Sequence, residues 1–467
     1  MAGRVPERPL EPPLTVCSLD PFYLIVDRAD WLTRLLPLGV KLVQLRVKDR
    51  PEAELRGEIA RARDLCRGAG AQLIVNDYWM LAIDAGCDFV HLGQDDLAEA
   101  DIPALRRHDV KFGISTHDDA ELERALSYAP DYVALGPVWP TLLKEMKFGP
   151  QGLEKLGRWK KRVGDVPLVA IGGLTPSRAC LALAAGADSA CVVTDVLRAS
   201  DPETRTVEWV TATAPWRDAS ELTRGFSPDY AGADVFPSPN HGPRAKAVSA
   251  LILHYTGMPT AEGALELLCS PIREVSAHYF VEEDGRVLQL VPEERRAWHA
   301  GVSYWAGETD MNSASIGVEI AHPGHIDPHP FPPAQIESVI TLSRDICERR
   351  RIAPRRVLAH SDIAPRRKID PGEFFPWETL AEAGVGHMLA PSPAMEGPAL
   401  ELDMAGAAVS HLQSQLANFG YKLAETGIYD EDTAATVAAF QRHFRRSRVD
   451  GRADASTIDL LTRLLAI

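Results

Sequence analysis

No stretch of this chain approaches the ~18 consecutive apolar residues that a membrane-spanning helix needs, so no membrane span is expected. The first twenty residues are rich in proline and charge and have no apolar core, which argues against a secretory signal. Paired cysteines are absent too. The seven cysteines stand singly at 17, 66, 87, 180, 191, 269 and 347, with no C-x-x-C among them. An odd, scattered set argues against a disulfide framework and for a reducing compartment, so a cytoplasmic protein is expected. An excess of positive charge is also missing. The net charge of −15 would repel nucleic acid and anionic membrane, and no nucleic-acid partner is expected. A local phosphate site is still allowed, because a few cations or backbone N–H groups override a global field.

What is present is enough for several cores. At 467 residues the prior is two to four domains. Residues 17–212 alternate short apolar runs with helix-period segments. Eight runs qualify as strands: 23–26, 42–45, 73–75, 89–92, 112–114, 132–135, 168–171 and 190–193. Eight β/α units in about 200 residues fit a (β/α)8 TIM barrel. A doubly wound open sheet is the runner-up, but no G-x-G-x-x-G follows the first strand. Residues 213–243 are rich in proline and glycine and read as a linker. Residues 244–388 read as an α+β domain, 389–402 as a second linker, and 403–467 as a small all-α helical bundle.

Polar residues follow the apolar runs of the first segment rather than precede them. Gln44, Arg46 and Lys48 come with the second run, Asn76 and Asp77 after the third, and Asp95 and Asp96 after the fourth. Ser115 comes at the fifth, Thr141 and Lys144 after the sixth, Gly172 and Gly173 after the seventh, and Val193 and Thr194 at the eighth. The C-terminal strand ends are where such barrels carry chemistry. The cations suit a polyphosphate, and Asp77 with Asp96 suits a Mg2+ that bridges phosphate oxygens. The glycines would let backbone N–H groups approach a second phosphate. Two phosphate sites and one metal suggest the joining of two phosphorylated molecules with loss of diphosphate.

The strings Gln44-Leu-Arg-Val-Lys, Asn76-Asp, Val90-His-Leu-Gly-Gln-Asp-Asp-Leu, Gly113-Ile-Ser-Thr-His, Leu135-Gly-Pro-Val-Trp-Pro-Thr and Val169-Ala-Ile-Gly-Gly-Leu resemble thiamine-phosphate synthases, in the order of that family. The resemblance implies that hydroxymethylpyrimidine diphosphate binds Arg46, Lys48, Asn76, Ser115 and Lys144. It also implies Mg2+ on Asp77 and Asp96, and thiazole phosphate near Gly173, Val193 and Thr194. Two departures stand out: Tyr78 where the family usually has arginine, and Leu143 where threonine or serine is common. A related barrel family of thiazole tautomerases lacks the diphosphate-binding residues that this chain retains.

The second half carries a different kit. His254 ends one apolar run and His360 another, and Asp370 lies in a loop that can fold back. Two histidines, a carboxylate and an open position would make a hydrolytic zinc site. Glu319 sits between Val318 and Ile320, where a carboxylate is costly unless used, which makes it the general-base candidate. Lys368 could stabilise an oxyanion. His322, His325 and His329, with Asp327, also cluster, but among prolines, and read as a solvated loop or cleft rim rather than a metal site. His278 and His299 read as core or supporting residues.

Ile252-Leu-His-Tyr-Thr, Ser276-Ala-His-Tyr, Trp298-His-Ala-Gly, Asn312-Ser-Ala-Ser-Ile-Gly-Val-Glu-Ile and His360-Ser-Asp-Ile-Ala-Pro-Arg-Arg-Lys-Ile-Asp-Pro-Gly resemble zinc-dependent N-acetylmuramoyl-L-alanine amidases. That resemblance implies zinc on His254, His360 and Asp370, catalytic roles for Glu319 and Lys368, and muropeptides or peptidoglycan as substrate. Leu412-Gln-Ser-Gln-Leu, Phe419-Gly-Tyr, Thr426-Gly-Ile-Tyr-Asp and Thr436-Val-Ala-Ala-Phe-Gln resemble peptidoglycan-binding domains. The expectation is therefore a bifunctional enzyme. Its rivals are a joined gene model with one physiological activity, and a hydrolase half that senses muropeptides without cleaving them.

Overall fold

The computed structural model describes residues 19–141, 149–217, 226–390 and 398–467. Lys144 and Leu143 lie outside them. The chain divides into two compact units, residues 1–218 and 219–467.

In the first unit, eight parallel strands close into a barrel in sequence order, β1 (Phe22–Val26), β2 (Leu42–Leu45), β3 (Gln72–Asn76), β4 (Phe89–Leu92), β5 (Lys111–Thr116), β6 (Tyr132–Leu135), β7 (Leu168–Ile171) and β8 (Ser189–Val192), with β8 pairing back to β1. Alternate residues face inward, as a period of two requires. Tyr23, Ile25, Leu42, Ile74, Phe89, Tyr132, Ala134, Val169 and Cys191 form one buried cluster. Gly113 in β5 is part of this packing: a Cβ there would lie 2.1 Å from the Tyr132 ring. The outer layer includes α1 (Glu52–Ala69), which buries Leu55, Ile59, Ala62 and Cys66 on one face. The last barrel helix is α2 (Pro202–Arg217).

The second unit centres on a six-stranded sheet ordered β16–β11–β15–β12–β13–β9. These are β9 (Ala233–Val235), β11 (Ala250–Tyr255), β12 (Tyr279–Val281), β13 (Val287–Gln289), β15 (Ser315–Ile320) and β16 (Val357–Ala359). A separate pair joins β10 (His241–Pro243) to β14 (Arg295–Ala297). The sheet is mixed: β16, β11, β15 and β12 run parallel, and β13 returns antiparallel to β12. Helix α3 (Pro333–Arg350) covers one face through Ile336, Val339, Leu342 and Ile346.

The expected linker 213–243 is corrected at both ends. Residues up to Arg217 finish α2, and β9 and β10 belong to the second unit's sheets. Apolar and hydrogen-bonding residues were hidden there among prolines and glycines. The second expected linker, 389–402, is also partly folded, since Leu400 pairs with Ala453.

The C-terminal segment folds as three helices, α5 (Ala407–Phe419), α6 (Glu431–Phe444) and α7 (Ala455–Leu465). They do not form a free-standing bundle. Val409, Leu412, Tyr421, Val437, Phe440 and Leu461 share one apolar cluster with Ile252, Trp305, Met311, Leu358 and Ile363 of the sheet domain. Among the described residues, no helix is long and apolar enough to cross a membrane.

Candidate active sites

At the mouth of the barrel, Asp77 adopts a left-handed backbone with φ of 65° just past β3, and Lys48 pairs with its carboxylate. A non-glycine residue in that region is strained. Asp96 lies in the first turn after β4, and its Oδ2 accepts from Gly93 N at 3.2 Å. Burial pushes the Asp96 carboxyl above its ordinary value, and the neighbouring Asp77, which also hydrogen-bonds it, adds to the rise. Two carboxylates held face to face repel unless a cation or a proton sits between them. The donor set thus fits a hard divalent cation such as Mg2+.

Behind this pair the barrel carries a polar chain. Gln44 Nε2 donates to Tyr23 Oη at 2.8 Å, and Tyr23 and Tyr132 hydroxyls are 3.0 Å apart. His91 bridges Tyr132 Oη at 2.6 Å and Ser115 Oγ at 2.7 Å. Burial, and then the charge of Arg46, pushes the His91 imidazole down to about 4, so it is neutral near pH 7. Asn76 Nδ2 is buried with no hydrogen-bond partner among the described residues, which leaves a donor open to a ligand. Arg46 and Lys48 are exposed at the same rim.

Gly172 and Gly173 have φ of 98° and 68°, and Cβ atoms there would meet Pro137 at 2.6 Å and Pro140 O at 2.5 Å. The pair is therefore required by close packing against the loop after β6, whether or not a phosphate approaches. Val193 and Thr194 follow β8, Thr194 opening a short helix, and Thr141 is the last described residue of the β6 loop. A depression of about 490 Å3 beyond Thr194 is lined by Asp195, Arg198, Asp201 and Arg205. Arg205 there pairs with Asp195 at 2.8 Å, and neither Asp77 nor Asp96 lines it. The sequence reading passed over Tyr23, His91 and Tyr132. Inward alternation along apolar strands is the signal that could have found them.

The second unit brings its residues together by strand register. His254 on β11 is the direct partner of Glu319 on β15, and Leu253 pairs with Ala359, so His360 follows immediately past the end of β16. Three adjacent parallel strands thus deliver three functional side chains to one sheet end. Asp370 returns to complete the group. His254 Nδ1 and His360 Nδ1 are 2.9 Å apart, and Asp370 Oδ2 lies 3.1 and 3.0 Å from them. Among the described residues this is the one group of three or more ligating side chains that could hold a metal ion, and all three are buried.

The tautomers fit a metal as well. His360 Nε2 faces Ala300 O, an acceptor, at 3.3 Å, and with the proton on that nitrogen the Nδ1 lone pair is free. His254 Nε2 faces His299 Nδ1 at 3.0 Å, and His299 Nε2 faces Ser315 Oγ at 3.4 Å. With the proton of His254 on Nε2, two lone pairs and a carboxylate oxygen converge. The ~3 Å triangle is close to the ligand spacing expected around an ion with bonds of about 2.0–2.2 Å, and the imidazole and carboxylate donors suit zinc. Burial, then His360, pushes His254 down to about 4, so it stays neutral and able to ligate.

The supporting groups explain the motif glycines and histidines. A Cβ on Gly317 would lie 2.4 Å from the His299 ring, so only glycine lets that ring reach His254. His278 Nδ1 accepts from Gly317 N at 3.0 Å and fixes the strand from the other side. Asn312 Oδ1 accepts from His299 N and Ala300 N at 2.9 and 2.8 Å.

A cleft of about 350 Å3 opens at this site, lined by Glu319, His360, Lys368 and Asp370 on its polar side and by Leu267, Leu268, Val275 and Trp298 on its apolar side. Glu319 Oε2 is buried with no hydrogen-bond partner. Burial pushes its carboxyl well up, the charge of Asp370 adds to that, and Lys368 works against it. Arg367, not singled out in the sequence, also lines the cleft and donates to Ala300 O at 2.7 Å.

The histidine-rich loop is less solvated than expected. His322 is buried, stacks on Phe331 and faces His329 O at 3.0 Å, while His325 joins Tyr255 and Glu373. Its aromatic neighbours, spread across two loops, were not visible as a group in the sequence.

Family models match both units: thiamine monophosphate synthase over residues 22–196, N-acetylmuramoyl-L-alanine amidase over 244–373 and a peptidoglycan binding domain over 405–461. A thiamine-phosphate synthase from Rhizobium etli is 68% identical over 199 residues, which is 43% of this chain and 98% of that protein. The chain belongs to the thiamine-phosphate synthase family in its first unit and to the N-acetylmuramoyl-L-alanine amidase family in its second. Solved structures similar to the second unit include the Escherichia coli amidase AmiD in complex with its substrate anhydro-N-acetylmuramic acid-L-Ala-D-gamma-Glu-L-Lys. It is 36% identical, with 48% of this chain and 91% of AmiD covered and a TM-score of 0.42. AmpDh3 from Pseudomonas aeruginosa is 30% identical, with 51% and 98% covered and a TM-score of 0.40. The fusion of a synthase barrel, an amidase and a C-terminal helical domain makes this chain a bifunctional enzyme, a transferase joined to a hydrolase.

Proposed function

We propose that the barrel joins hydroxymethylpyrimidine diphosphate to thiazole phosphate, and that the second unit cuts the bond between N-acetylmuramic acid and L-alanine in muropeptides or peptidoglycan. In the barrel, Arg46, Lys48 and Lys144 would grip the diphosphate, with Asn76 and Ser115 on the pyrimidine side. Asp77 and Asp96 would hold Mg2+, which when bound would neutralise charge on the leaving diphosphate. The cations meet the charge that develops as the carbon–oxygen bond breaks, and the thiazole nitrogen captures the pyrimidine cation. Thiazole phosphate would sit near Gly173, Val193 and Thr194, with Gln44 and Thr141 completing the wall.

In the hydrolase, His254, His360 and Asp370 would hold Zn2+, which when bound would act as a Lewis acid at the scissile amide. Glu319 takes a proton from the attacking water and can return it to the leaving amine. A carboxyl raised by burial is the stronger base for that step. Lys368 presents N–H donors to the oxygen on which negative charge develops. The apolar wall of Leu267, Leu268, Val275 and Trp298 keeps bulk water from the reacting bond. A cytoplasmic chain would meet imported muropeptides rather than intact wall, and that is the substrate we favour.

The observation that carries the reading is the convergence of His254, His360 and Asp370 within about 3 Å beside Glu319, whose Oε2 is buried with no hydrogen-bond partner among the described residues. The purified full chain should form both products. Asp77→Asn should lower thiamine-phosphate formation at least tenfold and leave amide cleavage unchanged. His360→Ala should do the reverse and lose stoichiometric zinc. An unchanged amide-cleavage rate in His360→Ala would end the zinc-hydrolase reading.

A further inference from the structure

The segment from His360 to Glu373 carries two of the three proposed zinc ligands and Lys368, and the helical domain holds it at both ends. At the first end, Asp362 is buried two residues past His360. Its Oδ2 accepts from Ala359 N at 2.8 Å and from His443 Nδ1 at 2.7 Å, and its Oδ1 accepts from Tyr421 Oη at 2.8 Å. Ala359 N is the start of the single turn α4 (His360–Ile363) that presents His360. At the other end, Arg446 Nη1 donates to Glu373 O at 3.0 Å, and Arg442 lies 3.8 Å from the Glu373 carboxylate. Tyr421, His443, Arg442 and Arg446 all belong to the C-terminal helical domain.

The contacts are built rather than incidental. His443 is buried between Trp377 and Phe444, stacked on rings 3.8 and 4.0 Å away, and its Nε2 has no partner. That leaves the Nδ1 proton as the one polar function of this side chain, and it is directed at Asp362. Tyr421 is equally buried and packs edge-on against Trp305 at 4.9 Å. A buried carboxylate that lost these two donors would keep only Ala359 N, and the deficit would be relieved by moving the loop. The loop that would move holds His360 and Asp370.

We propose that Tyr421 and His443 are positioning residues for the hydrolase: through Asp362 they fix the His360 turn, so that the helical domain sets metal affinity and turnover on small soluble substrates, apart from any binding of polymeric wall. This rests on the zinc-amidase reading above. Groups that support ligating histidines typically change metal affinity or activity by about 10–100-fold when removed.

The test uses the full chain. His443→Phe keeps the ring stack and loses the donor. Tyr421→Phe loses only a hydroxyl, and it keeps the test open should His443→Phe fold poorly. His443→Asn restores an N–H near the Nδ1 position. Ile428→Ser, on the exposed surface of the same domain, is the control. Two quantities are read: the loss of Zn2+ to a chelator, and kcat and KM on a soluble N-acetylmuramoyl tripeptide, with near-ultraviolet circular dichroism reporting the fold. Both Phe variants should release Zn2+ about tenfold faster or more and lose kcat with KM nearly unchanged. Asn should recover part of the loss, and Ile428→Ser should match the wild type. Wild-type zinc retention in folded Phe variants would overturn the inference. Failure of the wild-type chain to hold Zn2+ or cleave the tripeptide would instead overturn the amidase reading on which it stands.

Discussion

Glu319 is the side chain whose surroundings are hardest to explain without a reaction. One carboxylate oxygen is buried and partnerless among the described residues, beside the negative Asp370, and Lys368 offers relief. Such a group destabilises the fold unless something else requires it. Glu319→Gln should therefore keep Zn2+ at wild-type stoichiometry and lower amide cleavage by roughly 10²–10⁴-fold, the usual range for a general base. The chain itself should become no less stable. Metal content and single-turnover rates check this, and a variant that cleaves at more than a tenth of the wild-type rate would remove Glu319 from the base role. At this scale much was legible in the sequence. A carboxylate between Val318 and Ile320, and histidines closing apolar runs, are local anomalies that one chain reveals by itself. His91, Tyr132 and Asp362 were not legible in the same way, because their roles depend on which distant residue they meet.

Strands explain why the hydrolase residues converge, and one ion-pair cluster explains how the covering helix stays in place. The eight barrel strands were readable to within a residue or two because each is a short apolar run closed by polar residues. The short strands β9, β10 and β14 were not, since three residues carry too little pattern and their pairing is settled by neighbours far along the chain. Glu293, just before β14, is buried and receives Arg349 at 2.8 Å and Arg350 at 2.5 Å from the end of α3, and Tyr279 Oη at 2.7 Å from β12. Burial alone would raise its carboxyl, but the hydrogen bonds from Arg349, Tyr279 and Arg350 outweigh this and push it down to about 2. A carboxyl depressed in the folded state contributes stability above its unfolded value near 4.5, and that contribution is lost as pH falls from there towards 2. It amounts to on the order of 3 kcal/mol. Urea unfolding of the second unit, followed by loss of amide cleavage, should show a midpoint that falls steeply between about pH 4.5 and 2. Glu293→Gln should be destabilised by a similar amount at pH 7 and show a flatter acid limb. A variant with the wild-type acid profile would show that the cluster does not hold α3.

At the scale of the molecule the two units are closed in different ways. The barrel has no edge strand, since β8 pairs with β1, and its interior is filled by its own residues. Nothing in it requires another domain to cover an apolar face. The second unit has a complete core of its own between its sheet and α3. The helical domain is a different case, because it buries Ile252, Trp305, Leu358 and Ile363 in a cluster that neither partner could cover alone. The three family segments visible in the sequence are thus two physical units, and the pattern could not show this because a helix's apolar face does not name what it will meet. Two consequences can be measured. Residues 1–218 and 219–467 produced separately should each fold and keep their reaction within about twofold of the full chain, since each retains its whole core. A chain ending at residue 390 should expose the shared apolar cluster, and that loss should appear as aggregation or a transition several degrees lower. If instead the separated units were both inactive while the chain ending at 390 stayed soluble with its thermal transition unchanged, the division into a self-sufficient barrel and a hydrolase built jointly with its helical domain would be wrong.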